Sequence, residues 1–162
     1  MAPGQVNLFD PTAPSGLTTN PSFPSGHTNY AYTDSILLAM LVPQEYQNML
    51  SRGSQYANSR IVLGVHYPLD IIASRSFVQY DLAQAFTNSA YINNATTTGT
   101  AINLPSLFTA AQANLPSYLA AQCGASVASC ATSSANTTNN PYVPSAANWA
   151  TYTANLTYGC RL

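Results

Sequence analysis

The sequence predicts a mainly α-helical chain, and three observations carry that expectation. From Thr28 to about Val42, the residues Tyr32, Ser35, Ile36, Ala39 and Met40 follow the three-four rhythm of one buried helix face. Pro43 with Glu45, and Pro68 with Asp70, each set a proline at a helix start and an acid in the first turn. No glycine interrupts the stretch from Pro68 to Phe86, so a third helix can run through it unbroken.

The elements follow in order. Residues 1–23 hold four prolines and two glycines without periodicity and read as an extended lead-in. A second helix is expected from Pro43 to about Leu63, with Tyr46, Met49, Leu50, Tyr56 and Ile61 among its apolar positions. Gly53 weakens its continuity and Gly64 is its stop. Beyond Asn88 the text changes. Asn93 to Thr100 reads as a loop, and Leu104 to Gln122 as one or two short helices broken by Pro105 and Pro116. Gly124 to Pro144 is rich in Ser, Thr, Asn and Ala and reads as irregular. The organisation is a lead-in (1–23), an ordered helical unit (24–90) and a looser C-terminal segment (91–162).

At 162 residues the chain has room for one domain with a core. Charged residues make up 6% of it, against roughly 25% in typical soluble domains. Polarity comes instead from Asn, Thr, Ser, Gln and 11 tyrosines. With a net charge of −1, nothing favours nucleic acid or an anionic membrane. The profile suggests an exported protein, periplasmic or secreted. Met1 to Asp10 lacks the basic start and apolar run of a leader, which is then expected to lie outside this chain. The longest apolar stretch, Ile36 to Val42, is too short to span a bilayer. Cys123, Cys130 and Cys160 fit no zinc spacing. A Cys123–Cys130 disulfide with one odd thiol, or three free thiols, both fit.

Charge this scarce gives weight to where it sits. The two histidines are His27, in Pro24-Ser25-Gly26-His27, and His66, six residues after Arg60 and four before Asp70. Ser25 and Gly26 precede a helix whose first free N–H groups and positive dipole end suit an anion. Gly26 lets backbone approach a ligand closely. His27 would stand at that anion site, able to give or take a proton near neutral pH. Arg60 falls near the end of the second helix, and its planar guanidinium suits bidentate contact with a phosphate-like group. His66 falls in the next turn. Asp70 can point back to it, fix its tautomer and leave the other ring nitrogen free as a nucleophile. Two histidines with different tasks, an arginine and a helix N-terminus together describe phosphoryl transfer through a phosphohistidine. Arg75, Tyr30 and Tyr67 read as structural or packing residues.

These segments, Pro24-Ser25-Gly26-His27 and Ser59-Arg60-Ile61-Val62-Leu63-Gly64-Val65-His66-Tyr67-Pro68-Leu69-Asp70, resemble the second and third signature motifs of one superfamily. It comprises the type 2 phosphatidic acid phosphatases, the bacterial class A non-specific acid phosphatases and the vanadium haloperoxidases. The resemblance covers roughly residues 20–90 and is closest in style to the class A acid phosphatases. It implies an all-α helical bundle of the acid phosphatase/haloperoxidase type. It implies that His66 attacks phosphorus, Asp70 orients it, His27 protonates the leaving group, and Ser25, Gly26 and Arg60 hold the equatorial oxygens. The activity implied is hydrolysis of phosphate monoesters, with no metal and no cofactor.

The family's first motif, a lysine, six residues and Arg-Pro, has no counterpart here: the chain has no lysine, and no arginine precedes a proline. An N-terminally truncated chain is expected, with activity impaired by the loss of two phosphate-binding cations. Apolar faces left uncovered, at Ile36, Leu37, Leu41 and Phe77, would favour homo-oligomers. The runner-up readings are a vanadium-dependent haloperoxidase, with vanadate on His66 as cofactor, and an inactive non-enzymatic fragment. A membrane-embedded lipid phosphatase is disfavoured by the lack of a spanning segment.

Overall fold

The computed structural model describes Thr19 and residues 21–95, 101–134 and 145–160. Among them are helices and no strands. In chain order they are α1 (Gly26–Leu41), a single 3₁₀ turn (Pro43–Glu45), α2 (Tyr46–Val62), α3 (Pro68–Thr87), α4 (Ser89–Ala95), α5 (Leu104–Cys123), α6 (Val127–Ser134) and α7 (Ala146–Thr157). α1 packs most extensively on α2 and next on α3, α7 lies against α2 and α3, and α5 touches α1 and α3. Most of the expected lead-in lies outside the described residues. No described helix is long and apolar enough to cross a membrane.

The centre of the bundle is small. Tyr32, Ala57, Ile71 and Val78 form its buried cluster, with Ile36, Ile61, Leu82 and Tyr158 packed around them. All the buried apolar side chains come from residues 32–78, and α5 and α7 bury no residue. The buried stripe of α2 differs from the apolar positions named above. It is Gly53, Ser54 and Ala57, while Tyr46 and Tyr56 are exposed. The cause is close approach of α1. A Cβ built on Gly53 would sit 2.9 Å from Ser35 Cβ and 3.1 Å from the Ala31 carbonyl. Only a small residue fits there, and α2 passes through Gly53 without a break. Of the faces expected to lie uncovered, Phe77 is exposed, whereas Ile36, Leu37 and Leu41 are half-buried.

The C-terminal half is more helical than its composition suggests. α5 runs unbroken through both prolines: Pro105 sits in the first turn, where no donor is needed, and Pro116 removes one interior bond. Asn103 caps its start through the Ser106 N–H at 3.0 Å, and Gly124, at φ 74°, caps its end. Residues 127–134, expected to be irregular, form α6, tied to α5 by a Cys123–Cys130 disulfide. Cys160 is free. Residues 93–95, expected in a loop, belong to α4. α7 begins at a Ser145 cap, which accepts from the Asn148 N–H at 3.1 Å.

The α1–α2 contact yields a test. Gly53→Val should lower the unfolding free energy by about 1–3 kcal/mol through overpacking, read by urea denaturation. A stability equal to the parent's would show that the two helices can move apart.

Candidate active site

The site is built at the start of α1. Ser25 is the N-cap: its Oγ accepts from the Thr28 N–H at 3.3 Å and from the Thr28 hydroxyl at 2.9 Å. Its carbonyl accepts from the Asn29 N–H at 3.0 Å and from the Ser74 hydroxyl of α3 at 3.0 Å. Two of the first four amide donors of α1 are thus satisfied by one residue. The N–H groups of Gly26 and His27 remain at the open end. Nothing stands within 4 Å of where a Gly26 Cβ would be, so packing does not demand glycine there. Ser25 itself is fully buried. In this arrangement its hydroxyl shapes the helix end rather than facing solvent.

The second part of the site is turned by the end of α2. Gly64 has φ 71°. Its N–H bonds the Ile61 carbonyl at 2.8 Å, and the Val65 N–H bonds the Arg60 carbonyl at 3.2 Å. This pair of bonds is the Schellman termination, which needs a left-handed residue at Gly64. It reverses the chain so that His66 follows directly on the end of the helix that carries Arg60. Tyr67 is the N-cap of α3, and Pro68 opens the helix.

Asp70 then points back over that first turn. Its Oδ2 accepts from the Tyr67 N–H at 2.9 Å and lies 3.4 Å from His66 Nδ1. The His66 side chain is 10% exposed and that of Asp70 is 7% exposed. With Nδ1 turned to the carboxylate, Nε2 is the free ring nitrogen. At 3.4 Å the pair is loose for an N–H···O bond, so the amide of Tyr67 is what fixes the carboxylate.

Arg60 and His27 complete the group. The Arg60 Nε–H is buried without a hydrogen-bond partner among the described residues. The His27 pKa is lowered from 6.5, first by burial of one side of the ring, then by the charges of Arg60 and His66. Desolvation and the two neighbouring positive charges thus disfavour the protonated ring. The structure thus brings His27, Arg60 and His66 within electrostatic reach of one another, with Asp70 on the outer ring nitrogen of His66. An arginine, two imidazoles and a helix N-terminus are the group types that suit a small oxyanion. Among the described residues no group of three His, Cys, Asp or Glu side chains gathers as metal ligands.

Two contributors escaped the sequence reading. Tyr56 places its ring 6.4 Å from the His27 ring. It stands one turn before Arg60 on α2, a spacing that puts both on one face, and this was the signal available for it. Ser74 holds the Ser25 carbonyl across 49 residues of chain, and no local pattern announces such a bond.

Residues 1–78 match the PAP2 superfamily. The chain is 37% identical over 68 residues to an acid phosphatase of Zymomonas mobilis, covering 42% of this chain and 26% of that protein. It is 29% identical over 75 residues to a non-specific acid phosphatase of Providencia stuartii, covering 46% and 30%. A non-specific acid phosphatase of Salmonella typhimurium is 32% identical over 75 residues, with the same shares. The chain therefore spans 26–30% of the length of these relatives. No solved structure matches it.

The electrostatic coupling yields a test. Arg60→Gln should raise the His27 pKa, because the neighbouring positive charge is removed while the burial is not. Proton NMR titration of the His27 ring reads this directly. An unchanged titration would separate Arg60 from His27.

Proposed function

The chain belongs, through residues 1–78, to the PAP2 superfamily, and on that premise we propose that it hydrolyses phosphate monoesters through a phosphohistidine. The observation that carries the reading is Asp70 on Nδ1 of His66, with Arg60 and His66 both close enough to His27 to act on its charge. Nε2 of His66 attacks phosphorus in line with the ester oxygen, and the P–O bond to that oxygen breaks. Protonated His27 gives its proton to the departing alkoxide. Asp70 balances the positive charge that grows on His66. Arg60 and the amides of Gly26 and His27, set in place by the Ser25 cap, hold the equatorial oxygens. Water, deprotonated by His27, then attacks the phosphohistidine and releases inorganic phosphate and free His66.

The lowered His27 pKa sets the pH dependence. The acid form required in the first step is disfavoured by desolvation and by Arg60 and His66 and fills as the pH falls, so phosphorylation of His66 favours acidic pH. Arg60 and the helix end supply the positive charge, and the proposed reaction uses no metal. The Cys123–Cys130 disulfide supports a periplasmic or secreted setting. The exposed apolar residues Val62, Leu69 and Phe77 support self-association.

The test is hydrolysis of p-nitrophenyl phosphate in EDTA between about pH 4 and 8, comparing the parent with His66→Ala and Asp70→Asn. His66→Ala should lose about 10³-fold or more in kcat, and Asp70→Asn about 10–100-fold. Labelled phosphate trapped on the parent should be stable in base and released by acid, as a phosphohistidine is. Equal rates in the parent and His66→Ala, or activity abolished by EDTA, would overturn the proposal.

A further inference from the structure

α3 carries a second cation, away from the histidines. Arg75 follows Asp70 by five residues, which turns it roughly 140° around the helix and sets it about 7.5 Å further along. There it lines a half-open cleft of about 580 Å³ formed by α1, α2, α3 and α7. The cleft contains none of the residues of the candidate active site. Its size falls within the roughly 300–1,000 Å³ usual for small-molecule sites.

The cleft has a polar end and an apolar end. At the polar end, Arg75 Nη1 is buried without a hydrogen-bond partner among the described residues. The hydroxyl of Tyr32, a cleft residue only 3% exposed, is also unpartnered, as is that of Tyr158 behind it. Among the described residues no carboxylate lines the cleft, and no ion pair involves Arg75. The phenols nearby cannot take the place of a carboxylate. Burial, then the neighbouring Tyr32, pushes the Tyr158 pKa up to about 12 against the opposing pull of Arg75. Tyr152 is raised as well, again first by burial. Both stay neutral donors at physiological pH. Nη1 of Arg75 is thus a buried cationic donor with only neutral groups in the cleft wall beside it, and an anion would balance it. At the other end the walls are Ile36, Leu50 and Leu156.

We propose that this cleft binds an amphipathic organic anion, its oxyanion head on Arg75 and the Tyr32 hydroxyl and its apolar body against Ile36, Leu50 and Leu156. The head is a carboxylate or a phosphate ester, since the planar fork of Arg75 accepts either. The site stands independently of the proposed hydrolysis, and its ligand need not be a substrate.

The test is calorimetric titration of the whole chain with octanoate, with octan-1-ol as the uncharged control. Octanoate should bind with one site per chain, about tenfold or more tighter than octan-1-ol. Arg75→Met should weaken octanoate by about tenfold or more and leave p-nitrophenyl phosphate hydrolysis unchanged. Tyr32→Phe guards against a folding failure. Without ligand its melting temperature should equal or exceed the parent's, because it removes an unpaired buried hydroxyl. With octanoate it should show a smaller rise than the parent. In the His66→Ala background, octyl phosphate against octanoate distinguishes the two head groups. Tighter binding of either, lost in Arg75→Met, supports the proposal. Equal affinity for octanoate and octan-1-ol would overturn it, as would undiminished octanoate binding by both variants.

Discussion

Ser25 holds the beginning of α1 in place, and the chemistry of the site hangs from that junction. Its hydroxyl takes the Thr28 amide, while its carbonyl takes the Asn29 amide and, from another helix, the Ser74 hydroxyl. A buried carbonyl with two donors is fully satisfied, so the junction is stable out of water. The capped amides are those that would otherwise need solvent. The uncapped ones, at Gly26 and His27, are left facing outward. One residue thus both anchors α1 on α3 and selects which end-groups of the helix stay available to an anion.

The same economy governs the packing. α1 and α2 meet through Ser35, Gly53, Ser54 and Ala57, small residues that bring two backbones close. This draws the end of α2, with Arg60, towards the beginning of α1, with His27. Large apolar groups on these helices are then displaced outward, and Tyr46, Tyr56 and Val62 are exposed. The core is correspondingly thin, with a single cluster of four residues at its centre.

Scarce charge makes each cation legible. Arg60 Nε and Arg75 Nη1 are both buried without partners among the described residues, yet their surroundings differ. Near Arg60 lie two imidazoles, free helix amides and a carboxylate held to one of the rings, a set able to move protons. Around Arg75 lie tyrosine hydroxyls and aliphatic walls, a set able to hold an anion without transforming it. The bundle therefore separates two anion-seeking centres by turning one helix between them.

Sequence alone determined the helical class, the start at Pro68, the stop at Gly64 and the pairing of His66 with Asp70, whereas Pro43, expected to open the second helix, opens a 3₁₀ turn ahead of α2. Each rests on local chemistry: a fixed proline φ, a left-handed glycine, a carboxylate four residues from a ring. It also marked His27 and Arg60 as candidates, because motif spacing survives in one dimension. Tertiary structure alone decided which face of α2 is buried, since the stripe of Gly53, Ser54 and Ala57 reflects the distance to α1 rather than hydrophobicity. It made α5 continuous through Pro116 and ordered α6 beside the Cys123–Cys130 bond, where composition suggested breaks and irregular chain. It joined Ser74 to Ser25 and turned Arg75 into a cleft with no carboxylate. Those outcomes depend on contacts between residues far apart in the chain, and packing, unlike periodicity, leaves no signature within one segment.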